Sequence, residues 1–303
     1  MRYRKHIASC LLCLLLFGSI AHAEGEWTSP TRHPDAPEYT MSHPERLVPE
    51  QIVARCFLVM NRATGDVYLS QNEDMRMYPA ATATIMTGLL ALEHGALEDQ
   101  VLVSASAVNT LAGDASRVPF TEGEEVTLRD ALLGMLHASG CDAANALAEH
   151  VSGTQADFVA LMNKRAQELG CTNTHFTNAH GYHDPDQYTT ASDLARIMNA
   201  AMDNPDFRAL IGWAEPVLRA TNLHPERRIG TGMLHILPES DYYYPPSLGG
   251  RSGYTDKSGF VMVEAAEKDG MELVAVALYT GKYSRWPDIS RLFEYAFSKI
   301  SAG

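Results

Sequence analysis

The chain has 303 residues, 46% of them hydrophobic and 20% charged, ordinary values for a globular protein with room for one large core or two small ones. Its formal charge is −13, and no basic run occurs beyond the first few residues. That balance argues against nucleic acid and anionic membrane surfaces as partners, since both attract Lys and Arg clusters.

Arg2, Arg4 and Lys5, an apolar run over residues 7–17 and Ala21-His22-Ala23 together read as a signal peptide, residues 1–23, cleaved near Glu24. The apolar run is too short to span a bilayer, and no other stretch approaches the roughly 20 residues that a span needs. Losing three basic and no acidic residues would bring the charge to about −16. Cys10 and Cys13 leave with that segment. Cys56, Cys141 and Cys171 remain, an odd number without C-x-x-C spacing, which indicates neither a zinc site nor a disulfide framework. A pairing among these three stays open, because an exported compartment is oxidising. Residues 24–48 are polar, carry Pro30, Pro34, Pro37 and Pro44, and read as an extended or disordered leader.

Residues 55–60 are apolar and β-rich, 61–66 form a turn and 67–70 a second strand, which together predict a hairpin. Tyr78-Pro79-Ala80-Ala81 then reads as a loop entering a helix. Pro79 suits its start, Ile85, Leu89 and Leu92 recur at helical spacing, and Gly95 is the predicted left-handed stop. Short β-like runs and turns fill 96–126. A helix over 128–137 places Leu128, Ala131, Leu132 and Met135 on one face, and a second helical run covers 142–150. Thr154-Gln155-Ala156-Asp157 is a capping box for a helix that reaches Leu169 and stops at Gly170. Thr190-Ala191-Ser192-Asp193 opens another, through Met202. Residues 259–266 and 271–279 are apolar strands joined by Glu267-Lys268-Asp269-Gly270, and 286–300 is a closing amphipathic helix. Strands at both ends with helices between them indicate an α+β fold.

Several blocks also carry a family resemblance. Pro79-Ala80, Met86 and Thr87 resemble the nucleophile helix of the serine D-alanyl-D-alanine carboxypeptidases, the low-molecular-mass penicillin-binding proteins, which reads Pro-Ala-Ser-x-x-Lys-x-Met-Thr. Ser139-Gly140-Cys141 with Asp142-Ala143-Ala144-Asn145 resembles the family's second-motif loop and helix. Phe176-Thr177-Asn178-Ala179-His180-Gly181 resembles its landmark loop, and Gly249-Gly250-Arg251-Ser252-Gly253 its third-motif strand. The resemblance runs from about residue 53 to 300. It implies a β-lactamase/transpeptidase-like α+β fold over 49–303, an antiparallel sheet flanked by helices with a helical subregion, and no cofactor. Family members often carry a further β domain and an amphipathic anchoring helix; the chain stops at Gly303, so neither is expected.

In that family a serine attacks the carbonyl of the penultimate D-alanine and a lysine one helical turn away takes its proton. A Ser-x-Asn loop assists, and a Lys-Thr-Gly strand binds the terminal carboxylate. Here Ala81 stands at the serine position, Thr84 at the lysine and Cys141 at the asparagine, with Arg251-Ser252-Gly253 for Lys-Thr-Gly. Past residue 23 the lysines are Lys164, Lys257, Lys268, Lys282 and Lys299, and none follows a Ser or Thr by three. The expectation is an exported homologue without catalysis. Ser139, Arg251, Ser252 and Gly253 would bind a peptidoglycan stem peptide non-covalently through its carboxylate. One alternative is a hydrolase that uses Cys141, its thiolate favoured by Arg251. Another is a partner-binding protein with a closed groove. His180, His183, Asp184 and Asp186 read either as metal ligands or as part of an ordinary connecting loop, and Tyr242-Tyr243-Tyr244 either as a stacking surface or as incidental aromatics.

Overall fold

The computed structural model describes residues 49–300; the predicted signal segment and leader, residues 1–48, lie outside the described residues. Strand β1 (Cys56–Asn61) turns into β2 (Val67–Gln71) as the hairpin pattern predicts. Asn61 closes that turn, its Oδ1 accepting from the amides of Ala63 and Thr64 at 2.8 and 3.1 Å. A 3₁₀ turn over Ala80–Ala83 leads into α1 (Thr84–His94). Gly95 ends α1 in an extended conformation, φ −144°, not in the left-handed one expected. That extended conformation is open to any residue; a Cβ there would lie 2.6 Å from Leu128 Cδ1, a methyl that would have to shift.

The middle of the chain holds β3 (Gln100–Leu102), α2 (Ala105–Asn109), β4 (Glu125–Thr127), α3 (Leu128–Ala138), α4 (Cys141–Ser152), α5 (Gln155–Glu168), α6 (Ala191–Met202) and α7 (Pro205–Ile211). Thr127, Thr154 and Thr190 each cap a helix by accepting from the amide three residues on, a bond worth about 1 kcal/mol apiece. A small ribbon follows, β5 (Val217–Leu218) with β6 (Arg227–Arg228). Then come β7 (Ser247–Thr255), β8 (Gly259–Lys268), β9 (Met271–Thr280) and α8 (Arg285–Ile300). Between β8 and β9, Asp269 and Gly270 both take positive φ, 53° and 79°, as a two-residue primed hairpin turn requires.

The five long strands form one antiparallel sheet in the order β2-β1-β9-β8-β7, so the first and last segments of the chain pair side by side. Alternation along β1, β8 and β9 divides the sheet's side chains between two cores. Leu58, Met60, Val263 and Val276 pack on one face with α1, α3, α4 and α6; Phe57, Val59, Met262 and Ala275 pack on the other with α8. Every residue of β1 is therefore buried, which is why Cys56 to Met60 is a continuous apolar run rather than an alternating one. Cys56, Cys141 and Cys171 are free, buried thiols. Among the described residues no helix is long and apolar enough to cross a membrane.

Asp288 joins α8 to the chain entry. Its carboxyl accepts from the amides of Val53 and Ala54, both at 3.0 Å, and from the Thr280 hydroxyl at 2.7 Å. Burial outweighs these bonds and pushes it up to about 6. His137 on α3 is held at about 4 by burial, as is His180. The two histidines take up protons on unfolding between about pH 6.5 and 4, so stability falls as pH drops through that window. Asp288 acts oppositely: its contribution is complete below about pH 4 and lost as pH rises through 6. Two groups outweigh one. We expect urea denaturation to show a stability lower at pH 5 than at pH 7 by on the order of 1–2 kcal/mol, with the difference shrinking in His137→Gln.

Candidate functional site

Three segments meet at the end of β7: the 3₁₀ turn before α1, the loop between α3 and α4, and β7 itself. The turn begins at an elbow. Ala80 has φ +46°, a conformation L residues rarely adopt, and it is gripped from two sides. A Cβ on Gly181 would lie 1.8 Å from the Ala80 carbonyl oxygen, and one on Gly253 would lie 2.6 Å from the Ala81 nitrogen. Glycine at both positions lets the landmark loop and β7 close on the elbow. One turn on, the Thr84 hydroxyl donates to the Ala81 carbonyl at 2.7 Å.

On the second side Ser139 caps α3 in the left-handed conformation, φ +59°. Gly140 passes close to Val118, which a Cβ would meet at 2.2 Å. Asp142 fixes the neighbouring loop, its buried carboxylate accepting from the amides of Val118 and Phe120 at 2.9 and 3.0 Å. The Cys141 amide donates to the Ser116 carbonyl at 2.9 Å.

Arg251 ties the three segments together. It is 2% exposed. Its Nε donates to Thr84 Oγ1 at 3.0 Å, Nη1 to the Leu136 carbonyl at 2.8 Å and Nη2 to Ser139 Oγ at 2.9 Å. Desolvation brings it down to about 10, so it stays cationic at neutral pH. Among the described residues no carboxylate lies within ion-pair range of it. Ser252 alternates to the other face of β7, where its hydroxyl donates to the Val261 carbonyl at 3.1 Å.

Cys141 is 7% exposed, its Sγ 3.9 Å from the Ser139 carbonyl oxygen. Burial and the neighbouring Asp142 push the thiol up to about 11, outweighing Arg251 and Arg117. The sequence reading of a thiol acidified by Arg251 is thus reversed: this sulfur is protonated at neutral pH.

A cavity of about 690 Å³ opens over these groups, with Ala81, Ser139, Cys141, Arg251, Ser252 and Gly253 all in its wall. Thr84 lies behind them, buried beneath Arg251. On another part of the rim the Tyr182 hydroxyl donates to Asp114 at 2.7 Å, joining two loops. Sequence reasoning missed Arg285, which also lines the cavity. Its guanidinium lies over the rings of Phe260 and Trp286, at 4.7 and 4.5 Å, and its Nε is buried without a hydrogen-bond partner among the described residues. No spacing links Arg285 to the three motifs; only the sheet brings the start of α8, packed on β8 and β9, to the cavity that β7 lines.

Other candidates separate. His183 meets the ring of Tyr78 edge-on at 4.8 Å, and among the described residues no cluster of three or more His, Cys, Asp or Glu that could hold a metal forms around it. Tyr244 is buried against Phe293 and donates to Glu294 at 2.7 Å, while Tyr242 leans on Trp286. Tyr243 alone of the three is exposed, so most of that run is packing rather than a stacking surface.

Residues 40–281 match the family model for D-alanyl-D-alanine carboxypeptidase, peptidase S11. The chain is 31% identical over 252 residues to D-alanyl-D-alanine carboxypeptidase DacF of Bacillus subtilis, covering 81% of the chain and 62% of that protein. It is 32% identical over 251 residues to DacB2 of Mycobacterium tuberculosis, covering 81% and 82%. It thus spans less than two thirds of the length of DacF. Among solved structures it is similar to the Streptomyces K15 DD-transpeptidase, with a TM-score of 0.75, 26% identity and coverage of 82% and 98%. A D-alanyl-D-alanine carboxypeptidase of Mycobacterium tuberculosis gives a TM-score of 0.73 at 29% identity, with coverage of 81% and 91%. The antiparallel sheet flanked by helices is the penicillin-binding, β-lactamase-like fold of these enzymes.

Proposed function

The chain belongs to the D-alanyl-D-alanine carboxypeptidase family, peptidase S11, and from that premise we propose that it is an exported, non-catalytic member that binds peptidoglycan stem peptides in the cavity beside β7. One observation carries the proposal. At the two positions where the family places its serine and lysine stand Ala81 and Thr84, and the Arg251 guanidinium is bonded to Thr84. Ala81 offers no oxygen to acylate, and Thr84 no amine to take a proton. Removing such a nucleophile typically lowers kcat on the order of 10⁶-fold, and the base is missing too. Cys141 does not stand in for them, since its thiol is buried and held protonated.

Recognition is a separate matter from turnover. The cavity wall keeps a hydroxyl at Ser139 and, bonded to it, a cation at Arg251, a pair suited to a peptide carboxylate; Ser252 and Gly253 line the same wall, with the Ser252 proton held by the Val261 carbonyl. The basic, apolar and small-residue pattern of residues 1–23 supports export to the compartment where stem peptides occur. Calorimetry with a synthetic pentapeptide ending in D-alanyl-D-alanine, run beside an assay for free D-alanine, tests this reading. Binding with no release is expected. D-alanine released in proportion to protein concentration would overturn the non-catalytic reading, and absence of binding both by this pentapeptide and by the tetrapeptide lacking its last residue would overturn the peptide site.

A further inference from the structure

The cation in the cavity wall lies deep. Arg251 is bonded to Thr84 and to Ser139, and Thr84 is bonded in turn to the Ala81 carbonyl. The guanidinium is thus two hydrogen bonds from the residue that stands where relatives carry their reactive serine. A guanidinium has five N–H groups, and three of these are used in the bonds to Thr84, Leu136 and Ser139. Among the described residues the other two have no partner. A buried cation without a carboxylate neighbour is unfavourable until an anion reaches it, and the cavity is the open approach.

We infer that the anion held at Arg251 is the carboxylate of a peptide already shortened by one residue, so that this protein prefers stem peptides ending in a single D-alanine. The inference rests on the proposed peptide site and names which peptide it takes. In a peptide ending in D-alanyl-D-alanine, the group beside position 81 is a neutral amide carbonyl and the carboxylate lies one residue further on. Such a peptide leaves Arg251 without its counter-charge. In the shortened peptide the carboxylate itself is the group beside position 81, within reach of Arg251 and the Ser139 hydroxyl. Ala81 favours this: its methyl leaves free the volume of one hydroxyl oxygen, which the second carboxylate oxygen can use. Desolvation already weakens the hold of Arg251 on its proton, so pairing relieves an existing penalty.

The test is calorimetry on the unmodified protein with three synthetic probes: L-Ala-γ-D-Glu-L-Lys-D-Ala as the free acid, the same tetrapeptide as its C-terminal amide, and the pentapeptide acid ending in D-Ala-D-Ala. The tetrapeptide acid is expected to bind about tenfold or more tightly than either of the others, as a charge-assisted bidentate contact implies. Equal or tighter binding of the pentapeptide acid, or equal binding of the amide, overturns the inference and leaves the peptide site standing. Failure of all three to bind removes the site itself.

Discussion

Incubated with fluorescent penicillin, the purified protein is expected to carry no label and, by intact-mass measurement, no added β-lactam. Ala81→Ser alone is expected to stay unlabelled as well. It restores an oxygen, but the residue one turn away remains Thr84, whose hydroxyl is already committed to the Ala81 carbonyl and to Arg251 Nε. Adding Thr84→Lys places a second cation against a buried guanidinium that has no counter-charge, so the double variant faces like-charge repulsion in a desolvated site. The triple variant Ala81→Ser, Thr84→Lys, Arg251→Lys keeps two cations but replaces a guanidinium fixed by three hydrogen bonds with a smaller, more mobile ammonium that can move away from the new lysine. It is the one expected to acylate. Its labelling rate should exceed that of the unmodified protein by several orders of magnitude, given losses on the order of 10⁶ when such a nucleophile is removed. Label on the unmodified protein sinks the pseudoenzyme reading. Rapid labelling of Ala81→Ser by itself would show that no lysine at position 84 is needed.

The second large effect concerns the elbow that presents Ala81. Gly181 has φ +83°, and its missing Cβ would overlap the Ala80 carbonyl oxygen at 1.8 Å. Gly181→Ala therefore meets two penalties, an unfavourable backbone conformation of about 1–2 kcal/mol and a clash with main chain that cannot rotate away. A loss of about 4 kcal/mol or more in urea denaturation is expected, together with loss of any peptide binding. Gly123→Ala is the control. It has nearly the same φ, +81°, with nothing within 4 Å of the added atom, so its loss should be only about 1–2 kcal/mol. Equal losses at the two positions would show that the contact with Ala80 does not hold the elbow.

How far the chain could be read in advance follows from which interactions are local. The helix caps at Thr127, Thr154 and Thr190 act across three residues, and those at Thr154 and Thr190 were read directly from the sequence. The β8–β9 hairpin was legible for the same reason, since Asp269-Gly270 defines its own turn. Gly95 shows the limit. Its place after an amphipathic helix suggested a left-handed cap, but its backbone is extended, and what crowds the position is the side chain of Leu128, 33 positions away. The short helices α2 and α7 carry too few turns for a periodic signal and went unread.

The sequence by itself determined the kinship of the chain, the order of its blocks and the identity of what stands at each motif position: an alanine, a threonine, a cysteine and an arginine. Each is a property of residue type and spacing, which the linear order carries in full. Only the tertiary structure decided what those residues do to one another. It turned Arg251 inward onto Thr84, 167 positions away, and buried Cys141 until its thiol is held protonated. It also brought Arg285 to the wall of the same cavity. Desolvation and pairing depend on neighbours through space, and the folding of the sheet against the helices chooses those neighbours.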